Sequence, residues 1–276
     1  MSITTHDIFI AFTINILAGL ATCIGGAVPF SRKLMSNAKP SRVGLALGLS
    51  AGVMLFISLV EIFGKSEKEF NKHFGKPSSI LTTLCFSLGA LIIFLLDFII
   101  HKISPNTKHD LTVEELAQKM AQESLNRTGI LTAIAIGLHN LPEGLATFLA
   151  TLIDQNAGVA LGIGIAIHNI PEGIAVATPI YLATKSKWKG LFYTFLSALF
   201  EPLGGLICYI ILLLKNAFND NASKVVVGMM VTISLKELIP IALEFCKSKD
   251  KISISMLIGM LVMALSLIIF AYAGAE

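Results

Sequence analysis

Residues 129–183 read GILTAIAIGLHNLPEGLATFLATLI, then DQN, then AGVALGIGIAIHNIPEGIAVATPIYLA. Each apolar run exceeds the roughly 20 residues that a helix needs to cross a hydrocarbon core. The three-residue link makes the two helices run in opposite directions. Each run carries the same hexapeptide in its middle. The first copy is His139-Asn140-Leu141-Pro142-Glu143-Gly144, and the second, 29 residues on, is His168-Asn169-Ile170-Pro171-Glu172-Gly173. Ionisable groups inside a spanning helix are costly, and by default they mark a pathway or a site.

The rest of the chain agrees with a membrane setting. Of 276 residues, 54% are hydrophobic and only 14% charged, against roughly 25% charged in a soluble domain. Mean hydropathy is +0.77. Net charge is +3 and the basic residues fall in short segments between apolar runs, so the clustered basic face of a nucleic-acid binder is missing. Cys23, Cys85, Cys208 and Cys246 form no CxxC pair and lie within or at the ends of apolar runs. They read as small core hydrophobes.

Eight stretches meet the length requirement: 8–30, 43–63, 79–100, 129–153, 157–183, 190–214, 223–245 and 252–274. None alternates with the period of a barrel strand, so the expected fold is an all-α integral membrane protein, one domain over 1–276. Residues 101–127 form a polar loop, and Leu111 to Leu125 could make a surface helix. Lys and Arg number 14 on the side of segments 31–42, 101–127, 184–189 and 246–251, against 6 on the other. The positive-inside rule then places the polar loop in the cytoplasm and both termini outside. No basic residue precedes the first apolar stretch, whereas Arg32 and Lys33 follow it. That order is the reverse of a cleaved signal, so the first helix is expected to be retained. Gly44, Gly48 and Gly52, and Gly158 and Gly162, recur at four-residue spacing, which allows close helix approach within one chain or, alternatively, across a homodimer.

The hexapeptide has a chemical logic. His and Glu four apart share a helix face, and Asn points toward a neighbouring surface. Proline withholds a backbone hydrogen bond, which frees the carbonyls of Leu138 and Ile167 and bends the helix. At about 1.5 Å per residue, His139, Glu143, His168, Glu172 and Glu201 of the sixth stretch all fall near mid-membrane. Three carboxylates cannot all stay ionised there without a cation. Imidazole with carboxylate suits Zn²⁺ and Fe²⁺ better than Na⁺ or an organic substrate, and bridging carboxylates leave room for two metals. Polar glue between helices is the bland alternative, and five metal-type ligands at one depth outweigh it. Glu61, Asp97, His101 and the Lys236-Glu237 pair are weaker signals. Lys236 and Glu237 could simply pair with each other, and Met54 could be a soft ligand or core.

The tandem HNLPEG and HNIPEG followed by Glu201 resemble the ZIP (Zrt/Irt-like) metal transporters. GLSAGVMLFISLVE (48–61) and LKELIP (235–240) resemble the bacterial ZupT-like branch. The resemblance implies a 3+2+3 bundle in which helices one to three and six to eight are inverted repeats around four and five. It implies uptake of Zn²⁺, Fe²⁺ and related divalent ions across the cell (inner or plasma) membrane. One metal would use His139, Glu143, His168 and Glu172. A second would use Asn140, Asn169 and Glu201 and share Glu143 and Glu172. Met54 matches a position facing the first metal, and Glu61 is a further pathway candidate. The polar loop holds only His101 and His109, so metal sensing by a histidine-rich loop is not expected.

The metals are cargo, and no cofactor is expected. The expected partners are divalent ions and the lipid bilayer, with a homodimer open. An intramembrane zinc protease would need HExxH, and Asn follows each His. A gradient-coupled carrier of an organic anion would want Arg or Lys at mid-membrane, and the fourth to sixth stretches have none.

Overall fold

The computed structural model describes residues 4–37, 39–64, 78–103, 125–215 and 221–272. The expected surface helix at 111–125 therefore lies outside the described residues but for its last, as do the lysines of 65–77 and the final residues. The described chain is helical and contains no strand.

Thr4 caps α1 (Thr5–Gly26) through a capping box. Its hydroxyl accepts from the Asp7 amide at 3.2 Å, and its own amide donates to Asp7 Oδ2 at 2.8 Å. A short turn (Val28–Phe30) and α2 (Arg32–Asn37) lead into α3 (Pro40–Phe56), which continues as a π-helical turn over Ile57–Ile62. Next come α4 (Ser78–Ile103), α5 (Leu125–Ile153) and α6 (Gln155–Thr184). Asp154 alone separates α5 from α6, and its carboxylate caps α6 by accepting from the Asn156 and Ala157 amides. Then follow α7 (Lys187–Ala198), α8 (Phe200–Lys215) and α9 (Asn221–Ile233). A second π-helical turn (Ser234–Leu238) joins α9 to α10 (Ile239–Cys246), and α11 (Lys249–Tyr272) ends the bundle.

Seven stretches are long and apolar enough to cross a membrane: Thr5–Phe30, Pro40–Val60, Ile80–Ile99, Gln155–Thr184, Lys187–Leu213, Val225–Cys246 and Lys249–Ile268. Each coincides with an expected crossing. The remaining expected crossing corresponds to α5, a helix of 29 residues. The sixth expected helix is broken at Leu199 into α7 and α8. The cause is Pro202, which has no amide proton to offer the Ala198 carbonyl and crowds it. The break puts Glu201 in the first turn of α8. Pro142 and Pro171, in contrast, lie inside helices that run on without interruption.

Two sub-bundles emerge. In one, α1 packs on α5 to α8, and α5 on α6 and α8. In the other, α3 packs on α10 and α11, and α4 on α9. Within each, glycines set the closest approaches, and the tightest of those made to a backbone carbonyl fall into pairs. A Cβ on Gly25 would stand 2.0 Å from the Ile170 carbonyl oxygen, and one on Gly204 2.2 Å from that of Leu141. Gly173 meets the Thr22 carbonyl in the same way at 1.9 Å, and Gly144 meets that of Glu201 at 1.8 Å. In the other sub-bundle, Gly52 against Met256 (2.0 Å) matches Gly228 against Phe86 (2.1 Å). Gly89 against Val225 (2.0 Å) likewise matches Gly259 against Leu49 (2.1 Å). The paired residues follow in the same sequence order, so α1 corresponds to α7–α8, α3 to α9, α4 to α11, and α5 to α6. The two π-helical turns correspond as well, ISLVEI (57–62) with ISLKEL (233–238). In each the serine hydroxyl donates to a carbonyl four residues back, Ser58 to Met54 and Ser234 to Met230. The four-residue glycine stripes are used inside the chain: Gly44 against Ala242 and Cys246, Gly158 against Thr151, and Gly162 against Ile14.

Backbone contact leaves no room for a side chain at Gly144. Gly144→Ala is expected to cost about 1–3 kcal/mol through overpacking, whereas Gly64→Ala, with nothing within 4 Å, is expected to be neutral. Thermal unfolding of the two variants in detergent measures the difference, and equal melting temperatures would contradict this packing.

Candidate metal centre

α5 and α6 bring the two hexapeptides together where both helices are most deeply covered. His168 Nε2 lies 2.9 Å from Glu143 Oε1 and 3.1 Å from Glu172 Oε1. His168 and Glu172 share a face of α6 because they are four residues apart. Glu143 reaches them from the antiparallel neighbour. The three offer ligand atoms that all fall within 4.8 Å of one another, and all three side chains are buried. One imidazole and two carboxylates at this spacing suit a borderline divalent cation.

A second group adjoins through Glu201. Asn169 Nδ2 donates to Glu201 Oε2 at 2.8 Å and also to the Ala18 carbonyl at 2.9 Å. Glu201 and Asn169 are fully buried, and Asn169 Oδ1 and Glu201 Oε1 have no hydrogen-bond partner among the described residues. Asn140 is equally buried, and neither end of its amide has such a partner.

Neighbouring helices hold the hexapeptide backbones in place. Asn15 Nδ2 donates to the Gly144 carbonyl at 2.7 Å, and Ser50 Oγ to the His168 carbonyl at 2.9 Å. The Thr147 hydroxyl bonds the Glu143 carbonyl at 2.9 Å. In a setting without water, each such bond removes a backbone polar group that would otherwise go unmet.

His139 contacts Glu237 of the π-helical turn that joins α9 to α10. Lys236 and Glu237, open to pairing with each other, instead face different partners. Lys236 Nζ pairs with Asp97 of α4 and lies 4.9 Å from the centre of the Phe94 ring, while Glu237 goes to His139. Adjacent residues on a helix point about 100° apart, so Lys236 and Glu237 meet two different neighbours. Met54 is buried in the apolar core with Met230, Ile57 and Ile165. The side chains of Glu61 and His101 lie outside the described ones. Glu237, Asn15 and Ser50 escaped the sequence reading as parts of the centre. The signal for Glu237 was present: ISLKEL repeats ISLVEI.

The family profile described as ZIP Zinc transporter matches residues 100–267. The chain belongs to the ZIP family. A zinc transporter ZupT of Streptococcus mutans is 44% identical over 96% of this chain and 99% of its own length. A zinc transporter ZupT of Chlorobaculum parvum is 41% identical over the same shares, and one of Campylobacter jejuni 40% identical over 97% and 98%. As a ZIP protein the chain is a multi-pass membrane transporter and not an enzyme.

The Lys236–Asp97 pair ties α4 to the π-helical turn after α9. Lys236→Met is expected to destabilise the protein by removing the cation that faces the part-buried Asp97. Lys236→Met/Asp97→Leu is expected to recover most of the loss. A double-mutant cycle on detergent melting temperatures reads the coupling, and additive losses would contradict a direct pair.

Proposed function

We propose that this protein takes up divalent transition-metal ions, zinc foremost, through a binuclear site at the middle of the membrane. Fe²⁺, and with it Mn²⁺, Co²⁺ and Cd²⁺, complete the cargo. The observation that carries the reading is the buried trio of Glu143, His168 and Glu172. The first position uses these three, with His139 joining when it exchanges its contact with Glu237. The second uses Asn140, Asn169 and Glu201, and Glu143 and Glu172 serve both. Met54 and Glu61 lie along the approach. The zinc transporters of S. mutans and C. parvum support zinc as cargo.

The same reading extends to topology. Eight helices cross the cell membrane, α5 being the one beyond the seven apolar stretches. Helices one to three and six to eight form inverted repeats around four and five, which the duplicated glycine contacts support. Both termini face outward, and the polar loop 101–127 faces the cytoplasm, as the excess of basic residues on that side requires.

Uptake of labelled Zn²⁺, Fe²⁺, Mn²⁺ and Cd²⁺ into proteoliposomes, with competition among them, tests the function. Glu143→Ala and Glu172→Ala are each expected to abolish uptake while the protein stays inserted and folded, because both positions lose a shared ligand. Wild-type uptake by either variant at normal expression would remove this mechanism.

Zn²⁺ takes imidazole nitrogen readily, while Mn²⁺ prefers oxygen donors. His168→Ala is therefore expected to reduce Zn²⁺ transport more than Mn²⁺ transport. Equal loss for both metals would argue against His168 as a direct Zn²⁺ ligand.

A further inference from the structure

The turn after α1 and the start of α7 meet through aromatic rings. Phe30 and Trp188 stand edge to face with ring centres 5.0 Å apart. Lys187 Nζ donates to the Phe30 carbonyl at 3.4 Å and lies 5.9 Å from the centre of the Phe30 ring. Phe30 leads directly into Arg32 and Lys33, and Trp188 is flanked by Lys185, Lys187 and Lys189. Ser186 fixes the start of α7 by accepting from the Lys189 amide at 3.3 Å. Arg32, Lys33, Lys185 and Lys189 are exposed.

Nothing acidic balances these five cations. No Asp or Glu occurs from 8 to 60 or from 173 to 200, and none of the five is in an ion pair among the described residues. The other basic turn, Lys247 to Lys251, holds Asp250 among its lysines. An apolar stripe leads away from the cations. Trp188 is 72% exposed, and Phe192, Phe195 and Leu199, also exposed, follow it at the four- and three-residue steps of one helix face. Interfacial tryptophan by itself anchors a helix in any lipid. The unbalanced charge adds a choice among lipids, because it attracts headgroups with a net negative charge.

We propose that Phe30, Trp188 and the surrounding cations bind an anionic phospholipid. Its headgroup sits among Arg32, Lys33, Lys187 and Lys189, and an acyl chain lies along the α7 stripe. The surface uses none of the residues of the metal centre.

Native mass spectrometry of the full chain in detergent, with equal amounts of phosphatidylglycerol and phosphatidylcholine added, tests the choice. The wild-type protein is expected to retain phosphatidylglycerol, and equal retention of both lipids would overturn the proposal. Arg32→Gln/Lys187→Gln/Lys189→Gln is expected to lower the preference about fivefold per charge removed at low salt. Arg32→Gln/Lys189→Gln, both exposed positions, serves if the triple variant does not fold. Lys249→Gln/Lys251→Gln, in the turn that holds Asp250, is expected to leave the preference unchanged. Equal loss in this control would mean diffuse attraction and overturn the site. Trp188→Ala, with every charge kept, is expected to weaken retention of phosphatidylglycerol, and unchanged retention would remove the α7 stripe from the site. Soluble glycerol phosphate at the same concentration is expected not to displace the lipid. Displacement would make the surface a free-phosphate site and overturn the lipid assignment.

Discussion

The rest of this structure depends on one constraint: carboxylates, imidazoles and amides in mid-membrane must find partners inside the protein, because lipid offers none. α5 and α6 carry most of these groups. Glu143 lies between the imidazole of the facing helix and the side toward α8, and the neighbours are arranged around that pair. Asn15 from α1 and Ser50 from α3 each donate to a carbonyl of the hexapeptide segments. Such bonds fix backbone direction, and backbone direction sets where His168 and Glu143 meet.

Close approach makes this possible. Glycine on α1 against α6, and on α8 against α5, brings backbones to a separation that a single methyl group would obstruct. In lipid, where burial of apolar surface drives little association between helices, packing at that distance contributes van der Waals contact and excludes space. The same spacing lets a side chain as short as Asn169 reach Glu201. The break at Leu199 works to the same end, since it sets Glu201 at the start of a helix, where a carboxylate is favoured by the helix dipole.

The π-helical turns add a different element. Each contains a serine bonded back to a carbonyl four residues earlier and each ends near a glutamate. In the turn after α9, Lys236 reaches outward to α4 and Glu237 inward to His139, so one irregular turn couples the second sub-bundle to the first. His139 is thereby tied to that turn.

By itself, the sequence determined the membrane setting, the positions of the helices, and the hexapeptides as the place where metal-type side chains gather. These follow from residue type and spacing along a single helix, which are local properties. Seven expected crossings coincide with apolar helices, and α5 stands where the remaining one was expected. Only tertiary structure decided which donors meet. His139 meets Glu237, and Lys236 meets Asp97, because packing sets which helices flank the turn after α9. The pairing of Thr22 with Glu201 was equally hidden, since TCIGG and EPLGG share little beyond their glycines. What relates them is that each glycine pair fits against a carbonyl of the same hexapeptide, a property of two helices in contact and of neither alone.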